Sequence, residues 1–418
     1  MKKVRVYIAL VLVIIFSAGI VGCASEPAVT ASAADLMDGI GSRSVSGRTA
    51  DDELINSMAN FSVELFKRSI DRNENSLISP VSVMLALAMT ANGADSETLS
   101  QMETLLGGDI PLSELNEYLY SYINALPSSE KSKLNIANSI WFRDDESLEV
   151  FPDFLQTNAD FYNAAIYKSA FDSQTLNEVN NWVKENTDGM IDSILTQINP
   201  LDMLYLINAV AFDAEWQNVY YENNVKDGIF TNIHGNEKTV DFMHSTEYIY
   251  KEDDMATGFI KPYVGNSYSF AVLLPNEGIS IENYIESLTG ESLINTIQNS
   301  SNETVYAALP KFEFDFDISM NEVLSELGMP DAFNENKADF SKMANYQDGN
   351  IFISSVIHKT FISVHELGTR AGAATMVAMA GSGAPMETKI VTLDRPFVFA
   401  IIDNTTNLPL FIGTLTDI

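Results

Sequence analysis

Cysteine is almost absent from this chain, since Cys23 is the only one among 418 residues. A single cysteine excludes any disulfide within the chain, so an exported form must be held together by its core alone. Hydrophobic residues make up 46% of the sequence, which is enough for a large buried interior. Histidine is also scarce, and no two of the four lie at close metal-ligand spacing: His234, His244, His358 and His365. We therefore expect no zinc site and no cofactor.

Basic residues are few as well. The chain has 24 Lys and Arg against 57 Asp and Glu, which gives a formal net charge of −33. Nucleic-acid binding needs a basic footprint, so we expect no nucleic-acid partner. The same charge disfavours direct electrostatic binding to anionic lipid. We interpret it as a solvated acidic surface that keeps the protein soluble and monomeric.

The sequence also lacks a complete hydrolase motif. Ser128 and Lys131 fit the pattern Ser-x-x-Lys, but their segment is polar and no Lys-Thr-Gly follows. The triplet at residues 381–383 is Gly-Ser-Gly and does not complete Gly-x-Ser-x-Gly. We therefore expect that this protein is not an enzyme.

A basic start at residues 2–5 is followed by one apolar run, at residues 6–21. It is short for a membrane-spanning helix, which needs about 20 residues. The run ends in Ile-Val-Gly-Cys at residues 20–23, which resembles the bacterial lipobox, with cleavage before Cys23. The pattern predicts a lipoprotein signal peptide over residues 1–22. The resemblance implies acylation of Cys23 and an exported protein anchored by lipid at the bacterial cell surface.

Residues 23–49 are rich in Ala, Ser and Gly and show little apolar periodicity. We interpret them as a flexible tether between the lipid and the folded part. After that no linker or internal repeat is evident, so residues 50–418 are predicted to form one domain.

Helical patterns dominate the first half of that domain and strand patterns the second. Ser79, followed by Pro80, has the pattern of a helix N-cap. Strands are predicted at residues 203–212, 268–274, 351–364, 397–402 and 408–414, the last two as a hairpin. Helices followed by strands are typical of an α+β domain and not of a βαβ series.

Residues 365–385 are a run of small residues between two strand patterns. If the run is extended, one face carries only uncharged residues: Thr369, Ala371, Ala373, Thr375, Val377 and Met379. The other face carries Arg370, which can stay in water. A loop with this pattern could add itself to a sheet as a strand, which is a stored conformational change.

Two motifs carry a resemblance to a known family. Residues 366–375, Glu-Leu-Gly-Thr-Arg-Ala-Gly-Ala-Ala-Thr, resemble the hinge of the reactive-centre loop of serpins. Residues 393–401, Leu-Asp-Arg-Pro-Phe-Val-Phe-Ala-Ile, resemble the serpin C-terminal signature. The two motifs lie in the family's order and at close to its separation, and weaker matches extend over residues 50–418.

The resemblance implies an α+β serpin fold, with helices packed on a large, mainly antiparallel sheet A, two further sheets and an exposed reactive-centre loop. It also implies three functional regions of sheet A, which we name here by their residues. The shutter is Ser79, Asn208 and His358; the breach is Trp216; and the hinge is Glu366, Gly368, Thr369, Ala371, Ala373 and Thr375. From the residues alone, Asn208 and His358 are typical of buried polar groups satisfied by their neighbours, and Trp216 is typical of a core residue.

The implied function is suicide inhibition of a serine protease. Counting 14 residues on from Gly368, as the family does, places the reactive bond at Ser382-Gly383. Counting back from Pro396 points nearer Pro385, so the other candidates are Met379, Ala380, Ala384, Pro385 and Met386. All of these are small or apolar, which suits elastase-like or subtilisin-like proteases and not trypsin-like ones.

Two hinge positions depart from the family pattern. Arg370 stands where an acidic residue is usual, and Gly372 where alanine is usual. Neither places a charge on the uncharged face, so we still expect an inhibitory function. The alternative is a non-inhibitory serpin, a surface binding or carrier protein whose loop does not insert.

Overall fold

A computed structural model of the chain describes residues 32–299, 301, 303–369 and 388–418. Cys23 and the predicted signal peptide lie outside the described residues. The α-helices in the described part are α1 (Asp52–Ser69), α2 (Pro80–Ala91), α3 (Ser96–Gly107), α4 (Leu112–Ala125), α5 (Pro152–Tyr162), α6 (Ser173–Asn186), α7 (Ile281–Ser287), α8 (Gly290–Gln298) and α9 (Asn321–Glu326). The strands are β1 (Ala34–Asp35), β2 (Ser76–Ile78), β3 (Ser132–Arg143), β4 (Leu148–Val150), β5 (Ala165–Ser169), β6 (Leu204–Glu215), β7 (Val225–Thr231), β8 (Glu237–Glu247), β9 (Tyr250–Glu252), β10 (Ala256–Pro262), β11 (Tyr268–Pro275), β12 (Val305–Pro310), β13 (Phe312–Ser319), β14 (Ala344–Tyr346), β15 (Ser355–His365), β16 (Gly368–Thr369), β17 (Lys389–Thr392), β18 (Phe397–Asp403) and β19 (Pro409–Leu415).

The strands form three large sheets and one short pair. Sheet A has the order β1-β5-β3-β6-β16-β15-β13, sheet B the order β2-β19-β18-β11-β10-β9, and sheet C the order β17-β12-β8-β7. Strands β14 and β4 pair separately. Sheet A is mixed, because β3–β5 and β6–β15 are parallel and its other pairs are antiparallel. The predicted α+β fold with one large sheet and two further sheets is confirmed.

Sheet A separates two hydrophobic clusters. The smaller one packs Val179 and Val183 of α6 against Tyr205 and Ile207 of β6 on one face. The larger one lies on the other face and includes α2, every residue of which is buried. A helix that is buried on every side and mostly apolar is stable only inside a core. Its N-terminus, at Pro80, therefore lies directly beneath the sheet.

The predicted strands are all present, with small shifts of their ends. The strand predicted over residues 351–364 is β15 and begins four residues later, and its side chains alternate between buried and partly exposed as one covered face requires. The terminal hairpin is β18 and β19, paired antiparallel. Ser79 precedes α2 as predicted, but its side chain makes no capping hydrogen bond to the helix.

The flexible tether predicted over residues 23–49 is corrected by the structure for residues 32–49. Strand β1 pairs antiparallel with β5 at the edge of sheet A. Arg43 donates from its backbone N–H and its guanidinium to Asp160 of α5, at 2.6–3.0 Å, and the Arg48 guanidinium pairs with Glu114 of α4. The folded part therefore includes residues 32–49 and does not start at residue 50. Apolar periodicity did not reveal this segment, because only a few apolar side chains, Leu36, Met37 and Ile40, pack against the core and its other contacts are polar or belong to one short strand.

Candidate functional site: hinge, breach and shutter of sheet A

The hinge begins as a tight hairpin at one end of β15. Strands β15 and β16 pair antiparallel through His365↔Gly368 and Val364↔Thr369, and residues 366–367 form a two-residue turn between them. The first two residues after the turn are therefore already part of sheet A.

On its other side β16 pairs with β6. Gly368 lies opposite Glu215 and Thr369 opposite Ala214, so β16 separates the ends of β6 and β15. A Cβ atom on Gly368 would lie 2.0 Å from the Ala214 carbonyl oxygen. Only glycine allows so close an approach of two backbones, which explains this residue at the hinge.

Thr369 points into the core beneath the sheet, as the uncharged face predicted. Its side chain is 2% exposed, and its Oγ1 lies 2.6 Å from the hydroxyl of Tyr263. Tyr263 in turn stacks on the ring of Trp216, with the ring centres 4.6 Å apart. Burial raises the pKa of Tyr263, so its hydroxyl keeps its proton.

The breach residue Trp216 holds the turn of the hinge. Its indole Nε1 donates to the carbonyl of His365 at 2.9 Å, and its backbone N–H donates to the carbonyl of Leu367 at 2.8 Å. The backbone N–H of Tyr220 donates to the carbonyl of Glu366 at 2.9 Å. Three consecutive carbonyls of the turn are thus satisfied by one short segment.

A buried cation supports that segment from behind. Lys261 Nζ lies 2.7 Å from Glu247, and both side chains are almost fully buried. The ammonium also lies over the rings of Tyr220, at 4.3 Å, and Trp216, at 5.5 Å. Burial opposes its charge, but Tyr220 and Glu247 together raise the pKa of Lys261 above its ordinary value. The cation therefore stays charged and fixes both aromatic rings.

A second lysine pairs with the hinge at the surface. Lys311 Nζ donates to Glu366 at 2.9 Å and lies 3.4 Å from Asp241. The hydrogen bond to Glu366 raises the pKa of Lys311. Burial would raise the pKa of Glu366, but the hydrogen bond from Lys311 lowers it overall. The sequence did not identify Lys311 as the partner of Glu366, because the two residues are 55 positions apart in the chain.

The three shutter residues lie together under the centre of sheet A. His358 of β15 is Asn208's direct register partner in the parallel pair β15–β6, and its Nδ1 contacts the Asn208 side-chain oxygen. Its Nε2 accepts the backbone N–H of Ser79 at 3.0 Å. Ser79 therefore acts through its backbone, while its buried Oγ has no hydrogen-bond partner among the described residues.

Two members of this cluster were missed in the sequence. The Asn208 amide donates to the side-chain oxygens of Ser82 and Asn138. Asn138 of β3 is also the register partner of Asn208, so one row of polar side chains crosses β3, β6 and β15. Neither residue stands out in the sequence, because their proximity depends on strand register and on the position of α2.

His358 is neutral in this environment. Burial lowers its pKa from 6.5 to about 3. The hydrogen bonds agree, since an Nε2 that accepts a backbone N–H cannot itself carry a proton. The shutter is therefore joined by hydrogen bonds between uncharged groups, at the place where β6 and β15 pair directly.

The rest of the predicted loop lies outside the described residues. This applies to the hinge residues Ala371, Ala373 and Thr375 and to the reactive-bond candidates Met379, Ala380, Ser382, Gly383, Ala384, Pro385 and Met386. Within the described ranges, no three His, Cys, Asp or Glu side chains are placed to hold a metal ion. No helix there is long and apolar enough to cross a membrane.

Comparison with known proteins points to one family. A family model described as serpin (serine protease inhibitor) matches residues 56–418. An uncharacterized serpin-like protein of Thermococcus kodakarensis is 33% identical over 375 residues, covering 87% of this chain and 85% of the relative. A leukocyte elastase inhibitor of Xenopus tropicalis is 30% identical over 381 residues, covering 87% of this chain and 98% of the relative.

Solved structures agree with that comparison. The crystal structure of the thermophilic serpin tengpin in its native state is similar with a TM-score of 0.90 and 56% identity, covering 93% of this chain and 100% of that chain. The latent state of the same protein is similar with a TM-score of 0.79 and 53% identity, covering 89% and 100%. The structure described above is thus more similar to the native state than to the latent one.

Proposed function

Because this chain belongs to the serpin family, whose members matched here include protease inhibitors, we propose that it traps serine proteases by inserting its cleaved reactive loop into sheet A. The observation that carries this proposal is the position of β16. Its two residues already lie between β6 and β15, which are paired with each other only farther along the sheet. Insertion would then not have to start a new strand, because it would lengthen β16.

The register of β16 defines where each later residue would arrive. Gly368 lies opposite Glu215 and Thr369 opposite Ala214, so in this antiparallel register each later loop residue would lie opposite the preceding residue of β6. Strand β6 has 12 residues, so at this register it offers partners to residues 368–379. That insertion spans 11 steps, or about 36 Å at roughly 3.3 Å per residue. A protease bound to the loop would be carried along most of sheet A.

The same register brings Thr375 to the shutter. If both pairings of β16 continue without a shift, Thr375 would fall opposite Asn208 on β6 and opposite His358 on β15. A hydroxyl would thus arrive between Asn208 and His358, whose direct contact insertion must break. Arg370 would lie opposite Asp213, an acidic partner for the residue that departs from the family pattern.

Until the loop moves, the protease carries out the chemical steps. Its serine attacks the reactive bond and forms an acyl-enzyme, and the C-terminal part of the loop is the leaving group. Insertion then pulls the linked serine and distorts the oxyanion hole. The loss of one hydrogen-bond donor from an oxyanion hole slows the reaction about 10²–10³-fold. Deacylation stalls and the protease remains bound. The uncut fold must accordingly be held by a kinetic barrier.

We assign the targets to serine proteases that prefer small or apolar residues. No Lys or Arg lies between Arg370 and Lys389, so a trypsin-like enzyme has no site at or near the proposed reactive bond. Ser382-Gly383 is the proposed reactive bond. The name of one relative, a leukocyte elastase inhibitor, supports the elastase-like class.

The test uses residues 23–418 carrying Cys23→Ser, which prevents acylation. It is mixed with pancreatic elastase, with subtilisin and, as the negative control, with trypsin. We expect a band at the summed mass that survives denaturation with the first two enzymes, and mass spectrometry of the released C-terminal peptide identifies the bond. Cleavage without any complex, followed by no gain in thermal stability, would overturn trapping and favour the binding or carrier function.

We further propose that Cys23 carries the lipid that holds the inhibitor at the bacterial cell surface. The supporting observation is the lipobox-like sequence at residues 20–23. Metabolic labelling of a bacterial expression host with an alkyne fatty acid should label the wild-type chain and not Cys23→Ser. Equal labelling of both would contradict this assignment.

A further inference from the structure

Two large apolar side chains lie side by side on one face of sheet C. Ile390 of β17 is 75% exposed and Tyr306 of β12 is 55% exposed. They are direct register partners in the parallel pair β12–β17, and neighbouring strands lie about 4.8 Å apart. Thr246 of β8 is the partner of Tyr306 on its other side and is exposed too. We call Ile390 and Tyr306 the Tyr306–Ile390 patch.

The fold does not require apolar residues at these two positions. Their chain neighbours Val305, Ala307 and Val391 fill the opposite, buried face. Strand β17 is also an edge strand of sheet C, and an exposed apolar edge favours unwanted association. A polar side chain would serve the fold equally well. The two apolar side chains therefore favour association without stabilising the fold.

Few residues separate the patch from the proposed reactive bond. Four residue steps separate Met386 from Ile390, and eight steps separate Ser382 from Ile390. A fully extended chain spans at most about 3.6 Å per residue, so the reactive bond lies within about 14–29 Å of the patch. A protease of about 220 residues has a radius of gyration of roughly 17 Å and a diameter of about 44 Å. A protease of this size is therefore large enough to contact the patch while it holds the loop.

We propose that the Tyr306–Ile390 patch is a second docking site for the target protease, which contacts it while its active site holds the loop. This inference rests on the proposed inhibitory function and adds a determinant of target choice outside the loop. Tyrosine is enriched among the few residues that dominate the affinity of protein interfaces. Because the contact is apolar, it adds affinity that salt does not screen, unlike steering by the acidic surface.

The test compares a double variant, Tyr306→Thr with Ile390→Thr, against a matched control. Threonine keeps the strand preference of both positions while removing most of the apolar surface. The control is Leu201→Ser, a residue 78% exposed that lies just before the start of β6, whereas the hinge pairs with the end of β6. All three proteins carry Cys23→Ser, and their melting temperatures are compared first.

Two readouts separate docking from trapping. One is the second-order rate constant for inhibition of active elastase, together with the stoichiometry. The other is the equilibrium affinity for elastase whose nucleophilic serine is replaced by alanine, which cannot form an acyl-enzyme. We expect the double variant to lose at least about tenfold in both rate and affinity, with stoichiometry unchanged. The control should stay within about twofold of wild type in each, and raising the salt concentration should not abolish the difference.

Each other outcome has a definite meaning. If wild type traps elastase and the double variant matches it in rate and affinity, the docking site is overturned and the inhibitory function stands. If wild type binds inactive elastase through the patch but never traps the active enzyme, docking stands and trapping fails. If wild type neither binds nor traps elastase or subtilisin, both are overturned. If sedimentation shows wild-type self-association that the double variant loses, a second copy occupies the patch and the protease assignment is overturned.

Discussion

Sheet A is open at one end and closed at its centre, although the same two strands flank both regions. At the open end β16 separates β6 from β15, and aromatic side chains and one buried cation hold the turn of the hinge. At the centre β6 and β15 pair directly, and a row of uncharged polar side chains joins them to the start of α2.

The difference shows how one sheet can be both ready for a new strand and resistant to it. At the open end the hydrogen bonds from Trp216 and Tyr220 go to the turn at residues 365–367, so an added strand need not break them. Hydrogen bonds at the centre are directional, and breaking them leaves buried groups unpaired unless new partners arrive. We therefore propose that insertion starts at the open end and that the shutter sets its barrier.

A charge at the open end should abolish trapping. Thr369→Arg places a guanidinium where the side chain is 2% exposed and hydrogen-bonded to Tyr263, at a cost of several kcal/mol. We expect β16 to leave the sheet and complex yield with elastase to fall at least about a hundredfold, with cleavage taking its place. Thr369→Ser, which keeps the hydroxyl, is the control and should trap normally. Complexes of Thr369→Arg at wild-type yield would show that insertion does not begin at β16.

Removing the shutter imidazole should weaken the closed centre. His358→Leu leaves the Asn208 side-chain oxygen and the Ser79 N–H buried without their partner, which costs about 1–3 kcal/mol. The midpoint of urea unfolding measures this loss. Thr360→Val on the same face of β15 removes one neutral hydrogen bond to Leu77 and should cost less, about 1 kcal/mol. Equal losses in the two variants would argue against a special role of His358.

Acid should act on the centre through the same residue. The pKa of His358 is lowered by burial from 6.5 to about 3, so below about pH 6.5 the unfolded chain binds a proton that the native state does not. The stability that neutral His358 contributes is therefore lost as pH falls from 6.5 toward 3. The difference in unfolding free energy between wild type and His358→Leu should shrink between pH 7 and pH 4. A constant difference would mean that His358 titrates alike in both states.

The arrival of the loop at the shutter can be tested through Thr375. At the register of β16 its hydroxyl would reach Asn208 and His358, and Thr375→Val would remove that new partner while keeping the side-chain shape. We expect slower insertion, and so a severalfold rise in the number of inhibitor molecules cleaved per protease trapped. Ala373→Val, two residues away on the same predicted face, is the size control. An unchanged stoichiometry would indicate a different register.

The smallest effect is expected at the surface pair of the open end. Lys311 and Glu366 are each 32% exposed, so their interaction is worth at most about 1 kcal/mol. A double-mutant cycle with Lys311→Met and Glu366→Gln measures the coupling, which should fall as salt is raised. A coupling above about 2 kcal/mol would place the pair among the main supports of the breach.

Sequence reasoning located five strands, β6, β11, β15, β18 and β19, and the resemblance named Ser79, Asn208 and His358, which the structure brings together. The strands were accessible because alternation and apolar runs are local patterns, and the shutter because the resemblance named positions that have no local signature. Ser82, Asn138, Tyr263 and Lys311 were not accessible, since each acquires its contact only through strand register or a neighbouring element. Residues 32–49 were assigned to a tether because their partners are distant in sequence and few of their contacts are apolar.

By itself the sequence determined the class of fold, the absence of disulfides and a loop with one uncharged face, because composition and side-chain periodicity act locally along the chain. Only the tertiary structure decided that β16 is already inserted, that Ser79 acts through its backbone and that His358 is neutral. Those properties depend on burial and on the alignment of distant strands. A linear pattern cannot specify either, because both arise only when the whole sheet has formed.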